Sequence, residues 1–240
     1  MKKLLLIFLI LFSSFLPKKI IAQNNNNGAA VGAAIGVMIA IEQMKEQAEL
    51  EATQYMIANY PELDKFSLTT LDFDGKKISD MSSTSVITYT VTEFDIVDEV
   101  PVLGKRRILF GFTSYGWVNS NGVNFSKVMW HLVDEAEWFN MMIAYTKLAS
   151  AEKNEDIIRD ALKNGKVDNT RVKVKGGDNI DFYQIYGDMY LVSDYSDRFK
   201  FIYNEWTFGI FLKETGDLVQ IGRRDLIKFH KFMKGEFNVW

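Results

Sequence analysis

Short turn signals recur between runs rich in β-branched and aromatic residues, and connections of so few residues join antiparallel neighbours. Asp74-Gly75 reads as a hairpin turn from Phe66–Phe73 to Lys76–Ile78. Asn121-Gly122 reads as the turn of a longer pair, Arg107–Ser120 with Val123–Val133, which sets Phe112 opposite His131 and Trp117 opposite Ser126. Val86–Phe94, rich in Val and Thr, reads as a further strand. From Arg171 to Gly222 the chain reads as a meander. Its turns are Gly176-Gly177-Asp178-Asn179, Gly187-Asp188, Asp194–Asp197 and Glu214-Thr215-Gly216-Asp217. In the Gly187-Asp188 hairpin, Tyr183, Ile185, Tyr190 and Val192 share a face and are assigned to the core.

Helices interrupt these strands. Asp134 with Glu137 three residues on has the spacing of a capping box, and Trp138, Met141, Met142, Tyr145 and Leu148 follow at helical intervals. Asn154 is placed to cap a second helix that buries Ile157, Ile158, Ala161 and Leu162, with Gly165 at its C′ position. A short helix, Asp225–Lys234, ends the chain. The expected fold class is α+β: antiparallel sheet from hairpins and a C-terminal meander, a long N-terminal helix, two central helices and a short C-terminal one. No internal repeat is visible. The body, 62–240, is expected as one domain or as two halves meeting near residue 166.

The N-terminus has two distinct parts. Lys2 and Lys3 precede the apolar stretch Leu4–Leu16, and Ala22 stands at a cleavage position before Gln23, so residues 1–22 read as a secretory signal. An uncleaved anchor is the other reading, although the stretch falls short of the about 20 residues a membrane-spanning helix needs. Next, Gly28, Gly32 and Gly36 recur at intervals of four, forming one small-residue stripe on a helix. Each glycine costs about 1 kcal/mol of helix stability relative to alanine. Three in register therefore point to close backbone approach. The pattern resembles a glycine zipper, a motif of membrane-associated and self-assembling helices. Gly28–Ile41 would reach about 21 Å, short of the roughly 30 Å hydrocarbon core. Beyond it, Ile41, Met44, Ala48, Ala52 and Tyr55 form an apolar face and Glu42, Lys45, Glu46, Glu49 and Glu51 a charged one, until Pro61 stops the helix. Residues 23–61 are thus expected as one helical segment.

Composition excludes several chemistries. The 240 residues hold no cysteine, which removes thiol catalysis, redox switching and Cys-ligated metal. Four of the 28 basic side chains lie in the signal and none of the 31 acidic ones does, so the chain without it carries 24 against 31, a net −7. That balance argues against a nucleic-acid partner. Gly111–Gly116 approaches a Gly-x-Ser-x-Gly elbow but is one residue too long and lies in an expected strand. His131, Asp134 and Glu135 would gather as metal ligands only on one helix, whereas the hairpin puts His131 on a strand. Gly176–Asp181 resembles a single RTX calcium unit without its tandem copies, and Asp72-Phe73-Asp74-Gly75 lacks the remaining EF-hand ligands. No phosphate-cradling motif is present. No catalytic residue, metal or cofactor is assigned.

Two constellations remain. Arg224, Lys228 and Lys231 form a basic stripe on the last helix, reinforced by Arg223 and Lys234, opposite Leu226, Phe229 and Met233. Such a helix suits an anionic lipid or an acidic partner. Tyr115, Trp117 and Trp130 are expected on one face of the long hairpin, where they could stack on a sugar or lipid. The expected function is an exported, envelope-associated or self-assembling protein, periplasmic, outer-membrane-associated or secreted, whose Gly28, Gly32 and Gly36 mediate contact with a membrane or another copy. A soluble binding module for a glycan, lipid or peptide is the alternative, and a hydrolase using carboxylates not identifiable from sequence comes third.

Overall fold

The computed structural model describes residues 28–73, 84–119, 122–183, 191–204 and 206–236. The chain divides into two units, Met1–Glu42 and Gln43–Trp240. Helix α1, Gly28–Asn59, is the one long helix expected from the sequence. Pro61 lacks the N–H that a further turn would need. Within the second unit Ala48, Ala52 and Met56 are fully buried at four-residue spacing. Alanine at two of these positions lets the helix axis approach the sheet beneath.

That sheet is built from β1 (Phe66–Asp72), β2 (Ser85–Val97), β3 (Val100–Thr113) and, after the short pair β4 (Val118–Asn119) and β5 (Gly122–Val123), β6 (Val128–Val133). Its order is β1-β2-β3-β6, and every pairing is antiparallel. Both faces are covered, so Ser85–Val91 is buried at every position instead of alternating. Ile87, Tyr89, Val91 and Leu109 face α1. Val86, Ile108, Phe110, Phe112 and Val133 face the remainder of the core. Each large side chain so buried contributes about 2 kcal/mol.

Two turns differ from expectation. Asn119 pairs with Gly122, so the turn falls one residue earlier than Asn121-Gly122. Phe110, not Phe112, lies opposite His131, and Phe112 faces Met129. Ser126 lies in a 3₁₀ turn, Phe125–Lys127, instead of opposite Trp117. The register is therefore displaced by two residues, which leaves each side chain on its expected face because strand periodicity is two. The second difference is the β2–β3 connection, Asp98-Glu99, where both residues have positive φ (50° and 64°) as a tight hairpin turn requires. Beyond the reach of β1 and β6, this hairpin exposes Ile96, Val97, Val100 and Val102. The expected Asp74-Gly75 and Gly187-Asp188 turns lie outside the described residues.

Helices α2 (Glu135–Ala149) and α3 (Glu155–Asn164) follow. Asp134 caps α2 by accepting from the Glu137 N–H, and Asn154 caps α3 by accepting from Asp156 and Ile157. Ile157, expected in the buried face of α3, is half exposed, whereas Ile158, Ala161 and Leu162 are buried. Gly165 has φ −85°, so it is not the left-handed C′ glycine expected. Glycine is needed there for space: a Cβ would fall 2.5 Å from the Ala161 carbonyl oxygen.

The meander expected over Arg171–Gly222 is split between two sheets: β8 (Arg171–Lys173) and β9 (Ile180–Asp181) join β7 (Lys166–Val167) in a small sheet, and β10 (Leu191–Asp194), β11 (Phe199–Tyr203), β12 (Thr207–Leu212) and β13 (Leu218–Gly222) form the meander proper. Tyr183 and Val192 are exposed, which overturns their assignment to the core; Ile185 and Tyr190 lie outside the described residues. Helix α4, Arg223–Met233, closes the fold, burying Leu226, Phe229 and Met233 against the helices and both larger sheets.

Candidate functional site

A strongly cationic concavity of the body lies between β3 and helices α2 and α3. Lys105, Arg106 and Arg107 come from β3, Arg159 and Lys163 from one face of α3, and Phe139 of α2 lies in the wall of a cleft of about 410 Å³. The α3 pair is four residues apart and so shares a face. Arg107 is matched by a short ion pair with Glu93. Arg106 lies beside Gly235, where a Cβ would fall 2.7 Å from its Nη1. Arg159 donates to Asn140 Oδ1 at 3.1 Å, and the Lys163 ammonium stands 5.7 Å over the ring of Phe139. Lys105, Arg159 and Lys163 have no carboxylate in ion-pair range among the described residues. Asp134 and Glu135 also line the cleft. The Asp134 carboxylate is committed to the α2 cap, accepting from Glu137 N at 2.8 Å.

A second polar cluster lies at the β6 edge. His131 Nε2 is 2.8 Å from Glu137 Oε1, and Arg198 donates to His131 Nδ1 at 3.0 Å. Because the guanidinium can only donate, Nδ1 is the acceptor and Nε2 carries the proton that binds the carboxylate. Glu137 therefore serves His131 and does not complete the capping box with Asp134. The ring also meets the edge of Phe199, with centroids 5.0 Å apart. All three polar groups are satisfied by one another, an arrangement that pins β11 to β6.

The sequence-derived site residues are scattered. Gly28, Gly32 and Gly36 fall in the helical backbone of α1, within the first unit. Tyr115 is exposed, but Trp117 is only 2% exposed and Trp130 is packed between Tyr55 and Tyr89 at centroid distances of 6.0 and 6.1 Å. Trp130 occupies the space above Gly111, its cross-strand partner, where a Cβ would lie 2.7 Å from the ring. The three aromatic residues therefore share no surface. Arg224 and Lys228 are exposed on α4 and Lys231 is half-buried, with Lys228 paired to Asp225 at 2.9 Å. Arg223 and Lys234 do not reinforce this stripe. Arg223 is buried, donating to the Tyr183 carbonyl at 2.9 Å and to the Tyr203 hydroxyl. Lys234 is held by the Gly165 carbonyl and Glu236.

Four carboxylates among the described residues are displaced downward. Hydrogen bonds from Lys65, Lys147 and Lys213 hold Asp95, Glu155 and Asp194 below the usual carboxylate range. At Asp168 burial pushes the other way, but bonds from Lys173, Thr170 and Arg171 outweigh it. His230 is buried between Trp138 Nε1–H, which donates to Nδ1 at 3.2 Å, and the Leu162 carbonyl, 3.0 Å from Nε2. Burial pushes its imidazole down to about 4. Among the described residues no three His, Asp or Glu side chains gather as a metal site, and no helix is long and apolar enough to cross a membrane.

The cleft escaped the sequence reading because its cations come from segments some fifty residues apart and no spacing rule links them; only the run Lys105-Arg106-Arg107 marks one side. Compared with protein-family models, with curated proteins and with solved structures, the chain matches none.

Proposed function

We propose that this is an exported, non-enzymatic protein whose glycine-rich N-terminal helix holds it to a membrane, to the cell envelope or to further copies of itself, while Gln43–Trp240 forms the body it carries. The observation behind this reading is the continuity of α1, one helix from Gly28 to Asn59 that runs through both units. Its body half uses small residues at four-residue spacing, Ala48 and Ala52, for close packing. The same spacing recurs with glycine at positions 28, 32 and 36, where smallness costs helix stability and so calls for a compensating contact. Export is supported by the Lys2-Lys3 start, the apolar stretch and Ala22.

Vesicle flotation and sedimentation of the exported chain test the proposal, beside a Gly32→Leu/Gly36→Leu variant and a chain lacking Asn24–Ile41. Leucine at both positions raises helix propensity by about 1 kcal/mol each and blocks close approach. If the contact is helix on helix, the leucine variant loses its oligomer. If the contact is with lipid, the variant floats at least as well as the parent, and only the deletion abolishes flotation. A parent chain that is monomeric and does not float overturns the proposal.

A further inference from the structure

Three cations on two walls converge on the cleft between β3, α2 and α3, none of them with a carboxylate in ion-pair range among the described residues. Lys105 reaches it from β3, Arg159 and Lys163 from α3, with Lys163 steadied over the Phe139 ring. In a chain whose overall charge is negative, such a convergence is the opposite of the average surface. An ammonium or guanidinium donates hydrogen bonds and accepts none, so the missing partners are acceptors. One carboxylate offers two oxygens and one charge; a phosphate monoester offers three oxygens and about −1.5 to −2 charges near neutral pH. Three converging cationic donors match the second. Arg159 adds a planar fork suited to phosphate oxygens. A volume of about 410 Å³ accommodates a phosphate with a small substituent, not a polymer backbone laid along a groove. The α2 N-terminus plays no part, because Asp134 already occupies it.

From this we infer that the cleft binds a phosphate-bearing ligand, a phosphomonoester held by Lys105, Arg159 and Lys163, with Glu135 at the rim as a repulsive neighbour that limits affinity. The phosphate belongs either to a small soluble ester or to a lipid headgroup, and the site chemistry is the same for both. This inference does not depend on what the glycine-rich helix contacts.

Calorimetric titration of the full exported chain with inorganic phosphate and with glycerol 3-phosphate, at constant ionic strength, tests it directly, with chloride and acetate as comparison anions. A second arm uses vesicles of phosphatidylcholine alone or with phosphatidic acid, whose headgroup is a phosphomonoester. The expected result is binding of at least one phosphomonoester, free or in vesicles, that acetate does not match. Lys105→Gln and Lys163→Gln should each weaken it about tenfold, the usual effect of one charge-assisted bond. Glu135→Gln should tighten it severalfold, a direction that a folding defect cannot imitate. Binding by the soluble esters alone assigns a small metabolite-like ligand; binding by phosphatidic acid vesicles alone, still weakened by Lys163→Gln, assigns a headgroup. Flotation insensitive to the cleft variants reports only on α1. The inference is overturned if no phosphomonoester binds in either arm, if acetate binds equally well, or if the glutamine variants bind like the parent.

Discussion

The buried imidazole of His230 makes stability depend on pH in a way that can be calculated. Its Nδ1 accepts from Trp138 and its Nε2 faces the Leu162 carbonyl, so the folded state holds the neutral ring with the proton on Nε2. A proton added to Nδ1 would confront the indole N–H, donor against donor, in a site only 1% exposed. The folded value lies at about 4, whereas an unfolded histidine titrates at about 6.5. As pH falls between these values, the unfolded chain binds the proton first. Stability is therefore fully present above about pH 6.5 and falls as pH is lowered towards about 4. The full loss is about 3 kcal/mol, and about 2 kcal/mol of it is reached by about pH 5, before most carboxylates titrate. Urea unfolding at about pH 7.5 and about pH 5, followed by tryptophan emission, measures it. His230→Gln keeps a donor and an acceptor but cannot titrate; it should be less stable than the parent at the higher pH and lose about 2 kcal/mol less on acidification. Parallel losses in parent and variant, within about 0.5 kcal/mol, would refute the reasoning about the neutral ring.

Two more perturbations test the packing and the loops. Gly111→Ala would place a methyl 2.7 Å from the Trp130 ring, which is backed by Tyr55 and Tyr89, and should cost about 1–3 kcal/mol. Thermal unfolding would then shift down by several degrees, and an unchanged midpoint would mean that Trp130 can move freely. Asp168→Ala removes the acceptor for Thr170 N, Thr170 Oγ1 and Arg171 N, together with the ion pair to Lys173, and should cost about 1–2 kcal/mol at neutral pH. Because the folded carboxyl is held low, its contribution is present above about pH 4 and lost below it. Parent and variant should therefore converge in stability on acidification, as denaturant titration at several pH values would show.

How much was legible depended on whether the signal was local. Asp134 and Asn154 were readable as caps because a cap's side chain bonds only two or three residues ahead. The length of α1 was readable from spacing and Pro61. Register was less so: pairing of Asn119 with Gly122 sets the turn one residue earlier than Asn121-Gly122, and the same two-residue displacement then runs through the β3–β6 pairing. The Asp98-Glu99 turn was missed because glutamate seldom adopts positive φ and the usual Asn-Gly or Asp-Gly signal is absent. Burial of Trp117 and Trp130 follows from α1 covering that face of the sheet, a long-range fact no strand pattern contains. Arg223 reads as a surface cation by residue type, yet it starts α4 directly after β13 and is drawn onto Tyr203 and the Tyr183 carbonyl. The cleft demanded the fold itself, since only the tertiary arrangement brings Lys105 of β3 and Arg159 and Lys163 of α3 to one cavity.

Helix α1 continues from the glycine-rich segment into the wall that covers one face of the sheet, which restricts where the chain could be cut without opening that face. A protease acting before Gln43 would leave Gln43–Trp240 with Ala48, Ala52 and Met56 still seated on the sheet. A cut after Pro61 would also let the wall go, opening Tyr89, Leu109 and Trp117 to water. Cleavage that keeps the body closed is therefore confined to the stretch ahead of Ala48, the first fully buried position of the helix within that body.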